Sequence, residues 1–394
     1  MMSLPAGGRR RLGVAVIGCG WMGHAHSRGY LRLPHHYPEL GLLAHLVTVA
    51  DPEPDRREDA IRRYGFSDST PDWRAVLHDD RVEAVSVTAP NFLHREIAVA
   101  LAGAGKHLWI EKPVGLTLDD ARAVAEAVRA GGVQATVGFN YRYAPAVDRA
   151  RELLRHGAIG EVTNARFRLL SDYAAHPQGA LSWRFERAQG GSGVLGDLAS
   201  HGVDLARHLL GDIASVMADS AIFIGARPRP VGAASHFATA EGGESGAVEN
   251  EDYLNCLLRF ASGAHGTLEA SRTAVGQQNN YGFTISGSRG AISWDFRRMG
   301  ELRLAHGQDY QNEPSAVEHV GPGSGDFARF QPGAGIAMSY DDLKVIEAAR
   351  FLRSIESGTP HGASVEDAVH SATALHAMAD SVSRGEWVAL TGSI

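Results

Sequence analysis

Two short stretches of the sequence carry side chains that can move a proton. Lys112 stands between Glu111 and Pro113 at the end of a predicted strand, whereas Asp197 and His201 lie four residues apart in a predicted helix. A histidine has an ordinary pKa near ~6.5, which suits proton transfer at neutral pH. Residues four apart share a helical face, so Asp197 can orient the imidazole or bind a neighbouring hydroxyl. The Lys112 ammonium can stabilise a developing alkoxide or share the role of base.

The same helix raises the alternative of a metal site. Asp197, His201, Asp204 and His208 follow one helical face. They extend over about three turns, and one ion at ~2.1 Å from each ligand cannot reach both ends. We therefore predict no metal, and we expect Asp204 to form a structural hydrogen bond.

A glycine-rich loop follows the first predicted strand and opens a helix. Gly18, Gly20 and Gly23 form the pattern G-x-G-x-x-G, with Trp21 and Met22 between the last two glycines. The first glycine permits a tight turn, the second lets a pyrophosphate approach the backbone, and the third allows close helix–strand packing. The free N–H groups of the helix N-terminus attract phosphates. The loop therefore predicts a dinucleotide site.

Asp51 ends the second predicted strand and bears on the choice of dinucleotide. A carboxylate at this position accepts hydrogen bonds from a ribose 2′-hydroxyl and repels a 2′-phosphate, which favours NAD over NADP. Arg56 and Arg57 lie close enough in sequence to leave NADP open. Because Pro52 and Glu53 follow, a role as helix N-cap also stays open for Asp51.

Strands and helices alternate through residues 1–143, which we predict to be a dinucleotide-binding Rossmann domain. This alternation is typical of a doubly wound parallel sheet with right-handed crossovers. The predicted strands lie at 12–17, 42–50, 82–88, 106–110 and 134–138, and the predicted helices begin at 23 or cover 55–64, 95–104 and 118–130.

Residues 144–394 have a different rhythm and predict an α+β domain with a largely antiparallel open sheet, because strand-like runs follow one another with few helices between them. We expect this domain to bind substrate and to form subunit contacts. The closing helices within 340–384 are expected to pack back on the first domain. Segments 227–249 and 306–335 are rich in glycine, proline and small polar residues and are predicted to be loops. The other predicted strands lie at 161–173, 253–260, 266–273, 283–286 and 291–295, and the predicted helices at 145–155, 196–210, 340–357 and 365–384.

The composition limits the partners of the protein. The 394 residues include 38 Lys and Arg against 45 Asp and Glu, a formal charge of −7, which disfavours nucleic acid and an anionic membrane surface. No apolar run is long enough to span a bilayer. Only two cysteines are present, and they lie far apart, which suits a reducing cytoplasmic location.

The ordered combination of E-K-P with G-D-x-x-x-H resembles the glucose–fructose oxidoreductase/inositol dehydrogenase (Gfo/Idh/MocA) family. The resemblance covers nearly the whole chain. It implies that Lys112, Asp197 and His201 form the catalytic group and also contact the substrate. It further implies a cis Lys112–Pro113 bond and a homo-tetramer or homo-dimer.

The resemblance also assigns residues to the two ligands. On the cofactor side, besides the glycine loop and Asp51, it places Thr88, Asn91, His94, Glu111, Lys112, Asn140, Trp183 and Arg184. On the substrate side it places Asn140 and Tyr141, and we add Asp172 and His176 as candidates for binding hydroxyl or amino groups. Many family members have an arginine where Tyr141 stands, and a tyrosine there permits stacking on a sugar face.

We therefore expect an NAD-dependent dehydrogenase that reversibly oxidises a ring hydroxyl of a sugar, aminosugar or cyclitol, which can be part of a glycoside. The same residues also suit an NAD-dependent glycosidase or lyase that acts through transient ring oxidation. A third alternative is a non-catalytic NAD-binding regulator.

Overall fold

The computed structural model describes residues 8–230, 239–240 and 244–390. The chain forms two compact units, Met1–Tyr143 with Met338–Val369, and Ala144–Ala337 with His370–Ile394. Parts of the predicted loop 227–249, residues 231–238 and 241–243, lie outside the described residues. In the described part of the chain, no helix has the length and apolar character needed to cross a membrane.

The first unit contains a six-stranded parallel sheet in the order β3-β2-β1-β4-β5-β6. This is the order of a doubly wound dinucleotide-binding fold, which confirms the predicted fold class. Its elements up to residue 143 are β1 (Arg10–Ile17), α1 (Trp21–His36), β2 (Leu42–Ala50), α2 (Pro54–Tyr64), β3 (Asp68–Thr70), β4 (Ala84–Val87), α3 (Asn91–Gly103), β5 (His107–Ile110), α4 (Leu118–Gly131) and β6 (Ala135–Val137).

Burial explains why these short runs become parallel strands. Every residue of β4 and β6 is buried, as are the last three of β5 and the last six of β1. A sheet covered on both faces needs such continuous apolar runs. Parallel strands also end at one edge of the sheet, so the residues that follow β1, β2, β4 and β5 share that edge.

The second unit contains a nine-stranded mixed sheet, largely antiparallel, in the order β16-β15-β14-β13-β7-β12-β11-β8-β17. Only the β7–β12 pair is parallel among the described pairs of this sheet. This confirms the predicted α+β class. Its elements up to residue 337 are α5 (Pro145–Arg155), β7 (Val162–Leu170), α6 (Arg187–Gly190), α7 (Ser200–Leu210), β8 (Ile213–Ala221), β9 (Ala226–Pro228), β10 (Ser245–Ala247), β11 (Tyr253–Phe260), β12 (His265–Ser271), β13 (Asn280–Gly287), β14 (Gly290–Asp295), β15 (Glu301–His306) and β16 (Ala316–His319).

The chain closes with α8 (Tyr340–Ser357), α9 (Val365–Arg384) and β17 (Val388–Ala389). Helix α8 packs against α1 within the first unit. Ser339 caps α8 by accepting from the backbone N–H of Asp342, and the Asp342 carboxylate accepts from the Ser339 backbone N–H in return. This reciprocal pair satisfies donors that the first helical turn leaves open. The start of α8 is thereby fixed.

Candidate active site

The glycine loop between β1 and α1 has the shape that a dinucleotide requires. Gly18 has a φ of 88°, and a Cβ there would lie 2.7 Å from the backbone nitrogen of Ala89. A Cβ on Gly23 would lie 2.3 Å from the Gly18 carbonyl oxygen, so only glycine permits this packing. A Cβ on Gly20 would meet no described atom within 4 Å, which leaves the backbone open to a ligand.

The N-terminus of α1 is suited to phosphate. No side chain of the described residues caps this 16-residue helix, whose N-cap is Gly20. Its first N–H groups are therefore available to an anion. Trp21 and Met22 begin the helix, and Trp21 is 67% exposed and stacks on Tyr340 at 5.3 Å between ring centroids. The residues present fit a pyrophosphate.

Asp51 lies buried at the end of β2 beside the glycine loop. Its Oδ2 accepts a hydrogen bond from the Cys19 backbone N–H at 2.7 Å, and its Oδ1 accepts from the Glu53 N–H at 3.0 Å. The N-cap of α2 is Glu53, so Asp51 is not that cap. Arg57 donates to the backbone carbonyl of Asp51, whereas Arg56 lies 3.8 Å from the carboxylate. Asp51 thus links the second strand to the loop that follows the first.

The segments after β4 and β5 are tied together by backbone contacts. Thr88 Oγ1 donates to the Gly18 carbonyl at 2.5 Å. The ring nitrogens of buried His94 face the carbonyl oxygens of Ala89 at 2.7 Å and Pro113 at 2.6 Å. Burial lowers the pKa of His94 although both carbonyls favour its charged form. His94 therefore bridges the segments that follow β4 and β5.

Lys112 lies two residues beyond the end of β5, half-buried, in the position predicted from its motif. The Lys112–Pro113 bond is cis, as the family resemblance implies. Asn91, the fourth residue after β4, begins α3 and is half-buried. Lys112 thus lies at the same edge of the parallel sheet as the glycine loop, which follows β1.

Glu111 points into the protein interior. Its Oε1 accepts from His26 Nε2 at 2.8 Å and from Lys344 Nζ at 2.5 Å. Lys344 also donates to Glu347 at 2.7 Å. Burial raises the pKa of Glu111, but the charge of Lys344 and the His26 bond outweigh it and hold that pKa well below its usual range. Glu111 is therefore an ionised carboxylate whose Oε1 accepts from both His26 and Lys344.

Asn140 offers an unsatisfied amide. Its side chain is buried, with 1% exposure, and among the described residues neither its Oδ1 nor its Nδ2 has a hydrogen-bond partner. A buried amide without partners costs free energy unless a ligand or water supplies them. The neighbouring Tyr141 is also buried and meets Tyr340 edge to face at 6.5 Å. Asn140 is therefore a strong candidate to bind cofactor or substrate.

Asp197 is oriented by a tyrosine in the second unit. Tyr173 donates to Asp197 Oδ2 at 2.5 Å, a distance typical of a charge-assisted hydrogen bond. Burial and the Asp197 charge raise the pKa of Tyr173 well above its usual value, so the phenol stays protonated and remains a donor. Burial lowers the pKa of Arg184 although Asp197 opposes that shift. The Asp197 carboxylate thus lies within the electrostatic reach of the half-buried Arg184 guanidinium.

A π-helical turn, Leu195–Ala199, precedes α7 and contains Asp197. The sequence predicted one continuous helix over 196–210, so the helix type at Asp197 differs from that prediction. Such turns are rare and occur often at functional sites. His201 is the second residue of α7 and is buried, as is Asp204. The four-residue spacing of Asp197 and His201 therefore bridges a change of helix type.

The other predicted residues of this unit occupy the segment after β7 and its neighbours. The Arg184 guanidinium lies over the Trp183 ring at 4.3 Å. Asp172 accepts from the Gly276 backbone N–H at 3.2 Å. His176 is exposed, and its Nδ1 accepts from the Gln178 N–H at 3.0 Å. These contacts fix loop conformation, so the ligand roles of Asp172 and His176 stay predictions.

Sequence reasoning did not find several residues of these sites. Tyr173 lies 24 residues before Asp197, and Lys344 lies 233 residues after Glu111. His26 falls within the predicted first helix but belongs to no motif. The one available signal was in α8, where Lys344 and Glu347 are spaced as an ion pair on a helix that is otherwise mostly apolar.

The parallel sheet, its glycine loop and the buried Asp51 define the class of the protein as a dinucleotide-dependent oxidoreductase. Residues 12–139 match the model of the oxidoreductase family with an NAD-binding Rossmann fold, and residues 147–293 match the Gfo/Idh/MocA C-terminal domain. The chain belongs to the Gfo/Idh/MocA family, and its cofactor is NAD.

Similar proteins of known activity include two bacterial dehydrogenases. Levoglucosan dehydrogenase of Pseudarthrobacter phenanthrenivorans is 36% identical over 382 residues, which cover 96% of this chain and 98% of that protein. The NAD⁺-dependent scyllo-inositol 2-dehydrogenase of Bacillus subtilis is 30% identical over 297 residues, 74% of this chain and 75% of that protein. A solved structure of levoglucosan dehydrogenase with NADH and levoglucosan superposes with a TM-score of 0.91 at 34% identity, covering 97% of this chain and 100% of the other.

Proposed function

We propose that this enzyme reversibly oxidises one secondary ring hydroxyl of a neutral sugar with NAD, and that levoglucosan is the first substrate to test. The observation that carries the proposal is the likeness to levoglucosan dehydrogenase over nearly the full length of both chains. The inositol dehydrogenases among the relatives extend the substrate class to cyclitols.

Three residues of this chain are proposed to handle the reacting oxygen. When bound, NAD would supply the hydride acceptor for the carbinol carbon. The Lys112 ammonium donates a hydrogen bond to the oxygen and stabilises its developing negative charge. His201 takes the hydroxyl proton, a step that a positioned base typically accelerates ~10²–10⁴-fold. Asp197, fixed by Tyr173, orients the imidazole or accepts from a neighbouring hydroxyl.

In the first unit, the amide of Asn140 has no hydrogen-bond partner among the described residues and is proposed as a further ligand-binding group. An amide can both donate to and accept from a hydroxyl or carboxamide group. Tyr141 meets Tyr340, and Tyr340 stacks on Trp21, which directly follows Gly20 of the glycine loop. Aromatic rings therefore lie near that loop. These features suit a ligand that has both hydroxyl groups and C–H faces.

The direct test is a screen for NADH formation with levoglucosan, hexoses, aminosugars, cyclitols and glycosides, with products identified by mass. We expect His201→Ala and Lys112→Ala each to lower kcat ~10²–10⁴-fold, with the dissociation constant for NAD nearly unchanged. His208→Asn, farther along α7, is the matched control and should retain activity. Wild-type turnover in both active-site variants would refute the mechanism, and release of an aglycone without net NADH would instead support the glycosidase or lyase alternative.

A further inference from the structure

Four ionisable groups meet in the interior of the first unit, where the proposed chemistry does not use them. His26 comes from α1, Glu111 follows β5, and Lys344 and Glu347 come from α8. We call these four residues the buried charge cluster. The side chains of His26, Lys344 and Glu347 are completely buried, and that of Glu111 is 9% exposed.

The protonation states of the buried charge cluster determine which groups donate and which accept its hydrogen bonds. Burial lowers the pKa of His26 to about 4, so the imidazole is neutral near pH 7. Its Nε2–H then donates to Glu111, and its Nδ1 accepts from Ser86 at 3.0 Å. Burial works against the Lys344 ammonium, but Glu111 and Glu347 outweigh it and raise the pKa of Lys344. The Glu111 carboxylate therefore receives two donors from two different helices.

The cation in this cluster is Lys344 itself. One ligand atom each from His26, Glu111 and Glu347 lie within 4.8 Å of one another, a spacing that could hold a metal ion. The Lys344 ammonium, however, donates to both carboxylates, at 2.5 Å and 2.7 Å. It already supplies the positive charge that a metal would bring.

The Glu111 carboxylate also has little space in which to move. A Cβ on Gly138 would lie 2.5 Å from Glu111 Oε2 and 2.7 Å from its Cδ. On the other side of the cluster, the His26 ring stacks on Trp109 with centroids 3.5 Å apart. Packing and charge together thus fix the side chain that immediately precedes Lys112.

We propose that Lys344 and Glu347 are positioning residues that hold Lys112 in place through Glu111. The proposal rests on the catalytic role proposed above for Lys112. Buried ion pairs contribute little net stability because desolvation offsets their attraction, so stability alone is a weak reason for four such groups to meet here. Their contacts join α1 and α8 to the segment that follows β5 and contains Lys112.

Glu347 gives the arrangement a pH dependence. Burial raises the pKa of Glu347 to about 7, against the effect of the Lys344 ammonium. The groups that face Glu347 are Lys344 from α8, Glu111 beyond β5, and Tyr30 with the neutral His26 from α1. The cluster is therefore neutral below this pH and carries one negative charge above it.

The test compares Lys344→Met and Glu347→Gln with a matched control, Lys106→Met. Lys106 is a buried lysine just before β5 that donates only to the carbonyls of Asp79 and Val82 among its described hydrogen bonds. Two quantities are measured on the full chain: kcat and KM for NAD and sugar, and the rate at which acetic anhydride modifies Lys112, read by peptide mass spectrometry.

We expect Lys344→Met to lower kcat ~10–100-fold, the scale that a shift of about 1 Å at a reacting group produces, while KM for NAD changes little. In Lys344→Met, the acetylation rate of Lys112 should change at least ~3-fold. In Glu347→Gln, the acetylation rate of Lys112 divided by the wild-type rate should vary between pH 6 and 8, because only the wild type can lose the Glu347 proton over this range. Lys106→Met should leave both the kinetic constants and the acetylation rate of Lys112 unchanged, even if it lowers stability.

A double variant, Glu111→Gln with Lys344→Met, covers the case in which the single variant does not fold, because it buries no unpaired carboxylate at position 111. Wild-type kcat and wild-type Lys112 acetylation in either Lys344 variant would overturn the proposal. If the wild-type enzyme oxidises no sugar, the proposed function fails, but the acetylation rates still decide whether the cluster positions Lys112.

Discussion

At the residue scale, the hydrogen bond from Tyr173 to Asp197 is the contact whose loss should affect chemistry most cleanly. Tyr173→Phe removes the donor but keeps the ring. A hydrogen bond to a charged group is worth about 1.5–3 kcal/mol, so we expect kcat/KM for the sugar to fall ~10–100-fold. Tyr253→Phe, which removes a longer bond to Glu269 at 3.4 Å, is the control. Equal effects of the two variants would contradict a special role for Tyr173.

Asp51 leads to a prediction about the cofactor. Asp51→Ser removes the carboxylate that repels a 2′-phosphate, so the ratio of kcat/KM for NAD to that for NADP should fall at least ~10-fold, about 1.4 kcal/mol. Asp55→Ser, on the exposed first turn of α2, should leave the ratio unchanged. A wild-type enzyme that works better with NADP would show that Asp51 does not select NAD.

How far the sequence reveals a residue's role depends on the distance to its partners. Local motifs are enough to predict Lys112, Asp197 and His201 as site residues. Tyr173 and Lys344 were missed because their partners lie 24 and 233 residues away and only folding brings them together. Neither contact leaves a local pattern.

At the scale of elements, the close packing of α7 on the sheet sets the position of His201. A Cβ on Gly202 would lie 2.7 Å from Leu169 Cδ2 and 2.8 Å from Leu268 Cδ1. We expect Gly202→Ala to reduce the free energy of unfolding by about 1–3 kcal/mol through overpacking, and to lower kcat because the helix shifts. Denaturant unfolding and steady-state kinetics measure these effects.

The matched control is Gly103→Ala at the exposed end of α3, where an added Cβ meets no described atom within 4 Å. That variant should be within about 1 kcal/mol of wild type. A Gly202→Ala protein as stable and active as this control would show that α7 tolerates displacement.

Strong periodicity was sufficient to predict whole elements. The bounds of Leu42–Ala50, Tyr253–Phe260 and α9 agree with the prediction. β8 and β15 were not predicted, and β16 falls in the segment 306–335 that was predicted to be a loop. β16 lies at the edge of the sheet and only one of its four residues is even half-buried, so it has no apolar alternation to detect.

At the scale of the whole molecule, the buried charge cluster should make stability depend on pH. The pKa of Glu347 in the folded protein is about 7, above its ordinary value of 4.5, so the folded protein binds this proton more tightly than the unfolded chain does. The resulting stabilisation is fully present below pH 4.5 and is lost as the pH rises through 7. His26 acts in the opposite direction below pH 6.5, but equally in wild type and Glu347→Gln. The Tm of wild type minus that of Glu347→Gln should therefore fall between pH 5 and 8.

For folded units of this size, each kcal/mol of change in the free energy of unfolding should shift this Tm difference by roughly 2–4 °C. Differential scanning calorimetry of both proteins across the pH range provides the measurement. A Tm difference that is constant or rises with pH would mean that Glu347 keeps an ordinary pKa.

The assembly of the molecule stays a prediction. The family resemblance implies a homo-tetramer or homo-dimer, and light scattering on the purified enzyme decides between these states and a monomer. The cytoplasmic location inferred from composition is likewise a prediction.

The proposed mechanism requires Lys112 and His201 to act on the same hydroxyl of a sugar. A crystal structure of the enzyme with NAD and the best substrate from the screen tests it most directly, through the distances from the carbinol oxygen to Lys112 Nζ and to a His201 ring nitrogen. We predict that both distances fall within ~3.2 Å, as hydrogen bonds require. A sugar whose reacting oxygen lies beyond hydrogen-bond reach of either residue, without an intervening water, would rule out this mechanism.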